Sequence, residues 1–260
     1  MFFYFKELFH YRELLFTFAA RDIKVRYKQT IMGVGWALLQ PLSLMIIFTI
    51  VFSKLVRIQS EGIPYPVFSY CALLPWSFFS NSVNFGVASI TNNMNLVTKI
   101  YFPREVFPFS AVIASFIDFL IASIIFIGMI VFYKINLNFY MIWIPVIILI
   151  QIVFTLSIVL FFSALNVYYR DIKYIMPITI QIWMYLTPII YPINLVPEKY
   201  RTIYMLNPMA GIIDGYRNVI LKSLQPDFKH LILAACGSSI LFILGYLYFK
   251  KAERVFADII

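Results

Sequence analysis

One carboxylate, Asp118, lies deep inside an apolar stretch of this chain, between Phe116-Ile117 and Phe119-Leu120. An acid in lipid-like surroundings is costly and marks a functional site by default. It could carry ions or protons, pair with a polar group of a neighbouring helix, or stay protonated. No apolar run carries a central Lys or Arg to partner it. Other reactive groups are sparse. His10 and His230 stand at the edges of apolar runs, and Cys71 and Cys236 fall inside them, as small core residues do. No spacing suits a metal, and no Ser/His/Asp or Cys/His set offers a nucleophile. There is no G-x-x-x-x-G-K-[ST] phosphate loop. A membrane enzyme acting on polyprenyl-linked sugars would need paired acids, yet Asp118 is alone and Asp214 and Asp227 have no clear partner. The chain is therefore expected to be no enzyme and to carry no cofactor or metal. Any energy must come from an ion gradient or a separate subunit.

Polar residues recur at helical spacing within the apolar runs. Ser77, Asn81, Asn84, Ala88 and Thr91 share one helix face, as do Trp36, Gln40 and Ser43, and as do Tyr174, Gln181, Tyr185 and Pro188. Such faces should point at other helices or at water, either as packing glue or as the lining of a wet, ligand-facing path. Aromatics make up 19% of the chain, mostly as expected for interfacial belts. Tyr70, Trp76, Trp183, Tyr185 and Tyr191 fall near the outer halves of two runs, where their faces and polar tips could also meet sugars.

The elements that must position these residues are membrane helices. The chain is 62% hydrophobic and only 13% charged, with mean hydropathy +0.85. A soluble fold could not bury that excess. Six spans are expected, at about Gly33–Phe52, Val67–Ile90, Val106–Tyr133, Phe139–Val167, Tyr174–Tyr191 and Leu231–Phe249. Pro177, Gln181 and Pro188 interrupt the fifth, which predicts a kinked helix packed against protein. With the N terminus in the cytoplasm, thirteen of the 21 Lys and Arg fall inside and eight outside, so both termini are expected inside. The net charge of +9 gathers beside the apolar runs, which points to anionic membrane lipids rather than nucleic acid. The opening Met1-Phe2-Phe3-Tyr4-Phe5-Lys6 lacks the charged-then-apolar order of a cleavable signal, so the first span is expected to direct insertion. No internal repeat, linker or separate soluble domain is visible.

Three segments outside the spans carry their own patterns. Residues 1–30 read as an amphipathic interface helix, with Phe2, Phe5, Leu8, Phe9 and Phe16 on one side, ending in the basic run holding Arg21, Lys24 and Arg26. That run is either a positive-inside anchor or a docking surface. Residues 92–104 read as a short cytoplasmic helix whose Leu96/Ile100 and Val97/Tyr101 pairs form an exposed apolar edge. Such an edge seeks a partner's groove more readily than a membrane surface. Residues 193–229 form an outer loop with two helices expected at about Glu198–Met205 and Met209–Leu221, opened by Pro197 and Pro208. The second is apolar enough to re-enter the bilayer if protein or a water-filled cavity satisfies its backbone. A plain surface cap is the alternative.

Together these pieces resemble the permease subunit of type-2 ABC polysaccharide exporters over essentially the whole chain. The resemblance is carried by Arg21-Asp22-Ile23-Lys24-Val25-Arg26-Tyr27-Lys28 with Gly33-Val34-Gly35-Trp36 and Gln40-Pro41, and by Lys99-Ile100-Tyr101-Phe102-Pro103-Arg104-Glu105. It is also carried by Asn166-Val167-Tyr168-Tyr169-Arg170-Asp171-Ile172, Tyr185-Leu186-Thr187-Pro188-Ile189-Ile190-Tyr191-Pro192, and Asn207-Pro208 with Arg217. The resemblance implies one all-α integral membrane permease domain over residues 1–260, working as a homodimer in the bacterial inner membrane. Two separate cytoplasmic subunits would bind ATP and magnesium, which this chain does not. Leu96, Lys99, Tyr101, Phe102, Arg104 and Glu105 would form the coupling helix. Trp36, Gln40, Ser77, Asn81, Asn84, Tyr174, Gln181 and Tyr185 would line a channel, and Tyr191, Asn207, Pro208 and Arg217 would belong to re-entrant outer gate helices. The implied cargo is a polyprenyl-linked glycan such as O antigen, capsule or teichoic acid. A drug or small-lipid permease of the same fold, or a gradient-driven carrier using Asp118, are the alternatives.

Overall fold

A computed structural model describes residues 10–256 apart from 59, 100 and 101. Those residues form helices and connecting turns, without a strand among them. Arg12–Tyr27 is α1 and Gly35–Phe48 is α2, which widens into π-type turns over Thr49–Leu55. Tyr65–Val87 is α3, Met94–Lys99 is the short α4, Val106–Phe132 is α5, and Ile144–Tyr168 is α6. Ile172–Tyr185 is α7, Glu198–Tyr204 is α8, and Pro208–Tyr216 is α9, continued by a π-type turn over Arg217–Leu221. Phe228–Glu253 is α10.

Four helices are long and apolar enough to cross a membrane: Gly35–Leu55, Val106–Phe132, Phe139–Tyr168 and Phe228–Glu253. The other two expected spans fall short for different reasons. α3 has the length but carries Ser, Asn, Tyr and Pro, and 17 of its 23 residues are buried. It is the central helix, touched by α2, α5, α6, α7 and α9, so its partners rather than lipid decide its composition. α7 has 14 residues, roughly 21 Å of helix against a hydrocarbon core of about 30 Å. It stops at Tyr185 because Pro188 disfavours helical backbone at Thr187 and cannot donate to the previous turn.

Small residues let the central helices approach closely. A Cβ on Gly86 of α3 would collide with the Val159 side chain of α6, and one on Gly245 of α10 would lie 2.7 Å from the Ser157 backbone oxygen. Phe79 of α3 stacks on Phe154 of α6, with Trp183 of α7 edge-on to both. A second apolar cluster forms at the other end of the bundle. There Leu15 and Phe18 of α1 meet Phe102, Phe107, Phe249 and Phe256.

The two helices expected within residues 193–229 start where the proline pattern predicts them. Asn207 caps α9 by accepting from the Met209 N–H at 3.1 Å. α9 is not a cap lying over the surface: Met209, Ala210, Ile212 and Ile213 are completely buried against α3, α6 and α10.

Candidate functional site

Asp118 does have a cationic partner, contrary to the expectation from the spans alone. Arg26 Nη1 lies 2.8 Å from Asp118 Oδ2, with side-chain exposures of 11% and 9%. The Tyr27 hydroxyl donates to Asp118 Oδ1 at 2.7 Å. Arg26 Nη2 donates to Ser115 Oγ at 3.3 Å, and the guanidinium lies 3.7 Å over the Phe85 ring of α3. The span reading missed this because the arginine comes from α1, which packs along α5. The basic run is therefore not purely a solvated anchor. Arg21 pairs with its neighbour Asp22 at 2.9 Å, and of the three named basic residues Lys24 is exposed while Arg21 and Arg26 are half-buried. Burial pushes the Tyr27 hydroxyl above its usual range and the bond to Asp118 adds to this, so Tyr27 acts as a donor.

The connector from α4 to α5 also differs from expectation. Val97 and Phe102 are buried, Leu96 is half-buried, and Ile100 and Tyr101 lie outside the described residues. Phe102 packs 6.1 Å from the Phe18 ring and 5.3 Å from the Phe107 ring. The described apolar edge thus faces α1 and α5 of the same chain rather than a free partner surface. The outward side is polar, with Asn92, Asn95, Thr98 and Lys99 exposed. Glu105 is completely buried, 2.6 Å from Lys250 Nζ, which also meets Glu253 at 2.9 Å. The Arg104 backbone N–H donates to Glu253 Oε1 at 2.8 Å. Burial pushes the Glu105 carboxyl up, as does the charge of Glu253, and Lys250 holds it back. These contacts fasten the exit of α4 to the end of α10. Sequence reading named Glu105 as a site residue, but Lys250 only as one of the inside cations and Glu253 not at all. The available signal was the run of charges Lys250, Lys251, Glu253 and Arg254 at the end of the last apolar run.

The polar stripes occupy the open faces of the bundle. Of α3, Ser77, Asn81, Asn84 and Ala88 remain half-exposed while most of the helix is buried. On α2, Trp36, Gln40 and Ser43 are exposed, and only Pro41, Met45 and Phe48 are buried. On α7, Tyr174, Gln181 and Tyr185 are exposed, and only Met176 and Ile180 are buried. Both flanking helices thus leave wide mixed faces uncovered within the single chain. Ser77 and Asn81 line a small crevice with Pro41 of α2 and Asp118 of α5.

The turn after α7 is held by three donors from elsewhere in the chain. Asn207 Nδ2 donates to Thr187 Oγ1 at 3.0 Å, and the Tyr65 hydroxyl donates to the Ile190 carbonyl at 2.8 Å. Arg217 is buried over the Phe68 ring and donates to the carbonyls of Pro188 and Ile189 at 2.5 and 2.7 Å. Burial pulls the Arg217 guanidinium down to about 10, so it stays charged at neutral pH. Tyr191 and Tyr204 share a hydrogen bond between their hydroxyls. Pro208 opens the buried α9. The four expected outer residues are therefore gathered around one turn.

Two buried amides missed by the site reading tie the helices together. Asn166 of α6 donates to the Val87 carbonyl at 3.2 Å and accepts from the Lys173 N–H at 3.1 Å, joining the ends of α3 and α7. Gln151 donates to the Pro75 carbonyl at 2.8 Å and accepts from the Tyr216 hydroxyl at 2.9 Å. An amide inside an apolar run was the signal for both. No group of three His, Cys, Asp or Glu able to hold a metal occurs among the described residues.

Comparison with known proteins places this arrangement in a family. The pattern of the ABC-2 type transporter family matches residues 13–221. The O-antigen export system permease protein RfbA of Myxococcus xanthus is 30% identical over 256 residues, 97% of either chain. A protein of the same name from Klebsiella pneumoniae is 31% identical over 249 residues, 95% of either chain. The polysialic acid transport protein KpsM of Escherichia coli is 22% identical over 244 residues, 90% of this chain and 91% of the relative.

Proposed function

This chain belongs to the ABC-2 type transporter membrane family, and on that premise we propose that it is the membrane subunit of an ATP-driven exporter of a polyprenyl-linked polysaccharide. The observation that carries the cargo is the near-full-length likeness to permeases named for O-antigen export, with the polysialic acid transporter as a more distant relative. Two copies meet through the uncovered faces of α2 and α7, and the half-open polar stripe of α3 lines a channel at that interface. Each copy crosses the inner membrane six times, with both termini cytoplasmic, and α8 and α9 act as gate helices at the outer mouth.

Two ATP-hydrolysing subunits dock on the cytoplasmic side, against the polar face of α4 and the exposed side of α1. ATP and magnesium belong to those subunits. When ATP draws them together, their displacement reaches α4 and α1. The Arg26–Asp118 pair links α1 to α5, and Glu105–Lys250 links the exit of α4 to α10. These ties make the cytoplasmic elements a single lever, and Asn166 passes its movement to the start of α7. Such coupling requires a two-state element that the partner biases. Here that element is the α2–α7 interface. The pairing of Asp118 with Arg26 weighs against a gradient-driven carrier, because the carboxylate is already engaged by a guanidinium and a phenol.

Cross-linking tests the interface. In a Cys236→Ser background, a cysteine at the exposed Ile178 of α7 should cross-link two copies in membranes, whereas one at the exposed Ile240 of α10 should not. Equal cross-linking at both, or none at Ile178, would remove the homodimer channel.

A further inference from the structure

An apolar groove of about 750 Å³ lies on the side of the bundle, and none of the polar-stripe residues of α3 lines it. Leu120, Ile127 and Val131 of α5 form one wall, Ile148 of α6 belongs to another, and Cys71 and Tyr216 are among its deeper lining. Lys134 stands in the groove's lining just beyond the end of α5, on a turn with φ of 53°. It is exposed and forms no ion pair among the described residues. No acid lines the groove.

We infer that this groove holds one acyl chain of an anionic phospholipid, with the lipid phosphate at Lys134. Three observations carry the assignment. Two of the helices that line the groove, α5 and α6, are apolar enough to cross a membrane, so hydrocarbon is its natural filling. Its length along α5, from Leu120 to Val131, is roughly 16 Å, about half of a ~30 Å hydrocarbon core. That is the reach of a single leaflet's chain and far less than a polyprenyl tail. The one charge beside it is a cation at the membrane-edge end, where a head group sits. The lining comes from α3, α5, α6 and α9, and not from α2, α7 or the polar stripe, so it does not depend on what the channel carries.

Native mass spectrometry of the detergent-purified, delipidated full chain, with added phosphatidylglycerol or phosphatidylethanolamine, tests the assignment. The expected result is one tightly held phosphatidylglycerol per chain, favoured over phosphatidylethanolamine by roughly fivefold, the factor for one Lys beside an anionic head group. Lys134→Asn keeps a residue type that tolerates the left-handed backbone and should abolish the preference. Ile127→Trp, at a position 59% exposed, should fit without disturbing the core and lower retention of both lipids. Equal binding of both lipids to the unaltered chain would overturn the assignment. So would unchanged retention in Ile127→Trp, or displacement of phosphatidylglycerol by an equimolar polyprenyl phosphate.

Discussion

Removing the Arg26 guanidinium should leave a buried carboxylate without its cation. In Arg26→Met the stem is kept, and the Tyr27 hydroxyl still donates to Asp118, but the 2.8 Å ion pair is gone. Both side chains are about nine-tenths buried, at 11% and 9% exposure, so solvent cannot replace the lost partner. Breaking one side of a buried pair costs about 3–5 kcal/mol. For a chain of this size that corresponds to a melting shift of roughly 6–20 °C. Asp118→Asn should cost a similar amount by stranding the arginine. The double variant should recover most of the loss, because a neutral pair leaves no buried charge. The assay is thermal unfolding in detergent, followed by size-exclusion loss or tryptophan fluorescence, for the four proteins of the cycle. If the two single changes simply add, or if each shifts the midpoint by less than a degree, the pair does not fasten α1 to α5 and the lever argument fails. If the folded double variant also retains ATP-dependent export, Asp118 is a fastening rather than an ion carrier.

Phe102→Ala should destabilise the permease by about 3–5 kcal/mol, because the ring is buried between Phe18 and Phe107; thermal unfolding of the isolated chain reads this out. Lys99→Glu, on the exposed face of α4, should leave stability within about 0.5 kcal/mol yet weaken co-purification with the ATPase subunit. Arg217→Met should cost about 3 kcal/mol or more by leaving the Pro188 and Ile189 carbonyls dry, and faster limited proteolysis between α7 and α9 would report it. Gly245→Val should fail to assemble with normal stability, since its Cβ would lie 2.7 Å from a backbone oxygen of α6 that cannot swing away; a wild-type melting curve would refute that packing.

Much of the fold could be read from hydrophobic run length, because lipid imposes it. Four helices have both the length and the composition to cross a membrane, and α8 and α9 begin where Pro197 and Pro208 predict. The polar stripes also occupy open faces, since a polar row at helical spacing has few inexpensive places to go. What sequence could not show was contact between distant segments. Arg26 and Asp118 are 92 positions apart, and Glu105 and Lys250 are 145 apart. Local spacing is silent about such pairs. The same blindness bears on the segment around α4. An apolar residue there shows that something covers it, but not whether the cover is a partner or the same chain. For Phe102, just after α4, it is α1 and α5.

Transport itself is the most direct test of the account. Inside-out proteoliposomes holding this chain and its cognate ATPase subunit should take a polyprenyl-linked glycan into the lumen only when ATP is supplied, and an ATPase-dead subunit should abolish uptake. Uptake driven by a proton gradient without ATP would contradict the exporter and return Asp118 to the centre of the mechanism. ATP hydrolysis with no glycan movement, under conditions where a small lipid or drug is carried, would contradict the cargo.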